Sequence, residues 1–160
     1  MATPTSLPAA QTTGNVLTAA YVNDLRGAFR VLQLFSVQST VQQLSTTTTY
    51  ADVTSLTVTI TPQANTNKIL VISTNSLLAA GAAADGGIRI MRGATNIFTS
   101  VQCIGTANVG GSYTTIFLDS PATTSATTYK IQFNRDAGTG NLWHSITNTL
   151  SNLVVMEISA

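Results

Sequence analysis

Charge is what this sequence has least of. Only thirteen of its 160 side chains are formally charged, seven Lys or Arg and six Asp or Glu, or 8% of the chain, where a soluble protein ordinarily carries about 25%. A folded monomer of 16.7 kDa exposes roughly 7,600 Å² by area scaling, so each charge must serve about 600 Å² of surface. With a net charge of +1, electrostatic repulsion does little to keep copies apart. Part of this surface is therefore expected to be buried against other copies, in a homo-oligomer.

The other scarcities exclude functions. The seven basic residues are scattered from Arg26 to Arg135, with no more than two close together, as at Arg89 and Arg92, whereas tracking a phosphate backbone takes clustered Lys and Arg; no nucleic-acid partner is expected. No apolar run approaches the roughly 20 residues of a membrane span. The first fifteen residues lack both the basic start and the hydrophobic stretch of an export signal, so neither membrane insertion nor export is expected and synthesis in a cytoplasm fits. Cys103 is the single cysteine and rules out an intrachain disulfide. His144 is the single histidine, and one His with one Cys and scattered carboxylates does not make a four-ligand zinc site. No cofactor or metal is expected.

Catalysis fares no better. Acid–base or nucleophilic chemistry needs a base placed beside a nucleophile or a second carboxylate. Ser145 adjoins His144, and Asp119 or Asp136 completes a triad only on paper, because no GxSxG elbow or other pattern ties the three together. The expectation is that the protein is not an enzyme. Asp85-Gly86-Gly87 and Gly110-Gly111 do not open a helix as a phosphate loop does, and they are expected in flexible loops. Trp143, flanked by Asn141 and His144, offers an aromatic face with polar neighbours suited to a saccharide ring. A lone tryptophan in a β-sandwich is more often a packing residue.

What is present in quantity is the chemistry of strands. From Val31 onward Thr, Val and Ile dominate with period two. In LTVTIT at Leu56–Thr61, Leu56, Val58 and Ile60 face one way and three threonines the other, until Pro62 ends the strand. Similar alternation marks Val31–Val41, Ile88–Arg92, Tyr113–Leu118, Tyr129–Phe133 and Leu153–Ile158, and Ile69–Ile72 is a continuous apolar run suited to a central strand. Turn formers such as TPQANTN, RGATN, DSPATTS and RDAGTGN separate them. Seven or eight short strands without interleaved helices predict a mainly β domain over residues 31–160, an antiparallel β-sandwich of jelly-roll type. LAAGAAADGG at Leu78–Gly87 lacks strand alternation and is expected to be a long loop or an interface segment.

Residues 1–30 read differently. Pro4 and Pro8 forbid a helix in the first sixteen residues, which predict an extended arm. Thr18 then offers an N-cap, Leu17 can staple onto Val22, and Val22, Leu25 and Phe29 make one apolar stripe on a short helix. So short a helix must dock on something, and the stripe Leu17, Val22, Leu25 and Phe29 is expected to attach the chain to a larger assembly.

Two regions carry a resemblance. GNVLTAAYVNDL at Gly14–Leu25 resembles the opening of many tailed-bacteriophage fibre, spike and other virion proteins. TNKILVIS at Thr66–Ser73, GGIRIMRGATNIF at Gly86–Phe98, IFLDSPATTSATTYKIQF at Ile116–Phe133 and the final LVVMEISA together resemble a β-domain of phage virion proteins, and LDSPATTSATTYK is the most specific piece. The resemblance implies a virion location after synthesis in the host cytoplasm. It implies a homotrimer or other cyclic assembly, other tail, baseplate or capsid proteins as partners, host-surface polysaccharide as a further partner, and no catalytic residue. Three readings follow: a short tail fibre or tail-associated protein, a capsid decoration protein, and a carbohydrate-binding receptor module using Asn141, Trp143 and His144.

Overall fold

The computed structural model describes Thr18, Val22 and residues 31–102, 106–146 and 149–159. Ten strands run in order through these residues: β1 (Val31–Ser39), β2 (Gln43–Ser45), β3 (Ala51–Ile60), β4 (Lys68–Ala80), β5 (Ala84–Arg92), β6 (Thr95–Gln102), β7 (Val109–Asp119), β8 (Thr127–Gly138), β9 (Asn141–His144) and β10 (Ser151–Ile158). All pairings are antiparallel, as expected for strands with one buried and one solvated face.

They form two sheets. In the first, β7 lines one edge of β4, while β10 and then β9 share its other edge; β1 lies outside β10 and β2 outside β9. This sheet is thus four strands wide at both ends. The second sheet has the order β3-β8-β5-β6. Setting aside the short β2 and β9 and counting the eight long strands in chain order, the sheets read 1-8-3-6 and 2-7-4-5. That is the order of a jelly roll, in which chain direction alternates between the two layers. The mainly β sandwich expected from the sequence is the observed architecture.

Period-two alternation builds the core. Ile69, Val71 and Leu77 of β4 and Leu153 and Val155 of β10 meet Leu56, Val58 and Ile60 of β3, Ile88 and Ile90 of β5, and Tyr129, Ile131 and Phe133 of β8. At β3 the register slips between Asp52 and Thr57, with Ser55 at φ 71°. That bulge lets both Val53 and Leu56, three residues apart, point inward.

Two expectations are corrected. Leu78–Gly87 is not a long loop: β4 continues to Ala80 and β5 begins at Ala84, so a tight turn at 81–83 is all that joins these two strands. The signal was hidden because the buried positions are filled by small residues where the chain is overlaid closely. A Cβ on Gly86 would lie 2.8 Å from Leu77 Cδ1, and one on Gly87 would collide with the Tyr50 hydroxyl and Asn134. Gly86, Gly87, Gly110 and Gly111 are strand residues, not loop hinges. In addition, β2, β6 and β9 escaped the sequence reading. The expected N-terminal arm and helix fall outside the described residues except at Thr18 and Val22, where the Val22 N–H donates to the Thr18 carbonyl at 3.1 Å.

Candidate functional site

The polar residue that drew attention in the sequence is in the interior. Strand alternation on β9 sends Leu142 and His144 inward and leaves Asn141 and Trp143 on the opposite face, so His144 has no exposed surface and takes no part in a platform with Trp143. Its Nε2 lies 3.1 Å from Asn75 Oδ1 and its Nδ1 2.9 Å from Ser145 Oγ, which is 3.0 Å from Ser151 Oγ. Asn75 Nδ2 donates to Ser73 Oγ at 3.0 Å, and the Ser76 N–H donates to Ser151 Oγ at 3.0 Å. The Phe133 ring packs 5.2 Å from the imidazole. Burial, with no charge to offset it, pushes the His144 pKa down to about 4.

A serine hydroxyl on an imidazole with an amide behind it has the outline of an activated nucleophile. Here Asn75, His144, Ser145 and Ser151 all have zero exposure, so no substrate reaches them. Asp119 and Asp136 are not part of the group. Ser145 holds φ 53° and gives its N–H to the Ser76 carbonyl at 2.8 Å. The cluster ties β9, β4 and β10 together, and its chemistry is that of a satisfied interior polar network.

Two buried carboxylates fasten one end of the sandwich. Asp119 on β7 accepts from Arg92 Nη1 at 2.9 and 3.0 Å and from the Tyr129 hydroxyl at 2.7 Å, which joins the first sheet to β5 and β8 of the second. Burial and the adjacent Asp119 raise the Tyr129 pKa well above its ordinary value. Glu157 on β10 accepts from Gln33 Nε2 at 2.6 Å, the Gln63 N–H at 2.7 Å and Asn67 Nδ2 at 2.6 Å. The registers Glu157↔Ile69 and Ile69↔Asp119 set the two carboxylates in one row with Ile69 between them. Among the described residues no three His, Cys, Asp or Glu side chains gather as a metal site would require.

The outward faces differ from one another. On the second sheet, Asp52 accepts from Lys130 Nζ and from Gln132 Nε2, each at 2.8 Å, and these two bonds hold the Asp52 pKa below its ordinary value. Thr57, Thr59 and Thr128 extend this face, and Arg89 stacks 3.6 Å from the centroid of the Tyr50 ring. It is an ordinary solvated surface. On the first sheet the matching positions are apolar. The registers align Leu34, Met156, Leu70 and Leu118 in one row and Ser36, Val154, Ile72 and Ile116 in the next. Leu34, Leu118 and Ile116 are 59%, 55% and 63% exposed. At the other end Leu44, Trp143 and Leu78 form a further apolar row. Between the two blocks lie hydroxyls and amides, Gln38, Asn152, Thr74 and Thr114. Lys68, at the margin beside Ser120, is the only charged side chain at these positions. Residue order hides the position of this face, because outward Leu and Ile next to inward Val and Ile read as a buried central strand.

Of the expected attachment residues, Leu17, Leu25 and Phe29 lie outside the described residues, and Val22 is 40% exposed.

No protein-family model matches the chain, and no curated protein matches it in sequence. Among solved structures, the chain is similar to one from the structure of infectious bursal disease virus, Gx strain, with a TM-score of 0.51 and 11% identity over 79% of this chain and 32% of that one. It spans about a third of that viral chain, and at this identity the likeness is one of fold. Two further similarities, at TM-scores too low to carry weight, are to a Bacillus endospore appendage that forms disulfide-linked pili (0.38, 9% identity, 83% of this chain and 93% of that one) and to the enzymatically active domain of tailspike protein 4 of bacteriophage CBA120 (0.32, 10% identity, 78% and 19%).

Proposed function

We propose that the protein is a structural component of a bacteriophage particle, a short tail fibre or tail-associated protein that works as a homotrimer and is attached through residues 1–30. The observation that carries this reading is the pairing of a jelly-roll fold shared with a virus chain with one outward sheet face that is apolar and almost uncharged. Soluble monomers rarely expose contiguous apolar patches above about 300–600 Å² without an interaction to serve. The interior sealing of His144 and Ser145 supports the absence of catalysis. On this reading the protein needs no cofactor, and its partners are itself and neighbouring virion proteins, with nucleic acid and membranes playing no part.

The second reading, a capsid decoration protein, draws on the same likeness to a virus chain. A carbohydrate-binding module is weakened by the loss of His144 from the surface, although Asn141 and Trp143 still share the outward face. Particles assembled without the chain separate these readings. A fibre's loss leaves intact shells that fail to adsorb to the host. Loss of a decoration protein leaves infectious particles whose shells break at lower temperature. Particles unchanged in both respects would exclude both.

A further inference from the structure

We infer that copies of this chain meet through the outward face of the first sheet, the face of Leu34, Leu70, Ile116 and Leu118, turned inward around a three-fold axis. The inference rests on the oligomeric reading above and adds to it the surface and its geometry.

Charge segregation selects the face. A solvated sheet surface carries groups such as the Asp52, Lys130 and Gln132 cluster of the second sheet, and the first sheet has no counterpart except marginal Lys68. Bringing two such faces together therefore desolvates no charge but that of Lys68 at the margin, and charge is the largest cost of burying a surface. Bringing two of the second sheet's faces together would desolvate Asp52, Lys130 and Arg89 of each copy.

Size comes next. β4 and β7 remain in register from Ile69↔Asp119 to Ala79↔Val109, which at ~3.4 Å per residue is about 35 Å of strand, and four strands at about 4.8 Å make a width of about 19 Å. The flat footprint is then about 650 Å², close to the ~800 Å² each partner contributes to a standard interface.

The width also selects the symmetry. Three faces about 19 Å wide closed into a triangular prism each lie about 5.5 Å from its axis, and packed sheets sit about 10 Å apart, or about 5 Å from their midplane. Side chains of Leu and Ile size thus fill the centre without a channel. The belt of Thr74, Thr114 and Asn152 between the two apolar blocks supplies hydrogen-bonding groups that fix the axial register of the copies, the role polar residues play inside other oligomers.

The test is the solution mass of the full chain by light scattering, beside Ile116→Lys and Leu118→Lys on the proposed face and Thr57→Lys on the other sheet, each checked for a native β circular-dichroism spectrum. Because Ile116 and Leu118 are more than half exposed in the single chain, a lysine there leaves the fold intact. The expected masses are about 50 kDa for the wild type and Thr57→Lys, three times the 16.7 kDa chain, and 16.7 kDa for the two face variants. Trimers in every variant would overturn the choice of face while leaving the oligomeric reading standing. A wild-type dimer of about 33 kDa would overturn the three-fold packing, and a wild-type monomer would overturn both the inference and the reading beneath it.

Discussion

Acid should loosen this protein through one residue. The buried His144 ring stays neutral down to about pH 4, whereas in the unfolded chain it takes up a proton near its ordinary value of 6.5. Above pH 6.5 both states hold the neutral ring and the residue contributes no pH dependence. Between pH 6.5 and about 4 the unfolded state binds the proton and the folded state does not, so stability falls with falling pH by about 1.4 kcal/mol per unit. Over that window the loss is about 3 kcal/mol, a large share of the 5–15 kcal/mol of an ordinary domain. Asp52, whose pKa is depressed from 3.8, loses its contribution only below this window, so the two effects separate. Urea unfolding followed by Trp143 fluorescence, at fixed protein concentration and at pH 7.5, 6.5, 5.5 and 4.5, measures the slope. His144→Gln keeps a polar, uncharged side chain and should flatten it, whatever it does to stability at pH 7.5. A wild type equally stable from pH 7.5 to 4.5, or a His144→Gln variant with the same loss, would refute the burial assigned to this ring.

Other consequences follow from packing. Ile69→Ala should cost about 2–5 kcal/mol because Ile69 is sealed between the two sheets, while Thr57→Ala on the solvated face should stay within about 0.5 kcal/mol, both read from urea midpoints. Gly87→Ala should destabilise by about 1–3 kcal/mol, because its Cβ would displace the Tyr50 hydroxyl and Asn134, and the loss of the Tyr50–Arg89 stack should show in the tyrosine absorbance. Deleting residues 1–30 should leave one cooperative thermal transition with a β-type spectrum and abolish incorporation into particles. An unfolded truncated chain would make that segment part of the sandwich core.

The layers of the fold were legible wherever outward positions are polar. LTVTIT exposes its inward set, Leu56, Val58 and Ile60, by simple alternation, and these residues are core. Legibility failed where side chains are too small to show a period, as at Leu78–Gly87, and where strands are too short to establish one, as at β2 and β9. It also failed at the surface that matters most. Leu70 and Ile72 alternate with the equally apolar inward residues Ile69 and Val71, and Ile116 and Leu118 flank an inward Phe117, so the order of residues in these stretches does not mark the outward set. The low charge content was the one sequence property that pointed toward such a face, and it could give neither its location nor its shape. The buried polar network around His144 was hidden for a different reason: Asn75 and Ser151 join it from strands 69 positions upstream and seven downstream, and only the sheet register brings them together.

The central claim, a structural role in a virus particle, is tested most directly by counting the chain in gradient-purified particles of the virus that encodes it, by peptide mass spectrometry against an isotope-labelled standard. The expected result is a few tens of copies per particle or fewer, in a multiple of three. Particles that are complete and infectious yet contain none of the chain would contradict it.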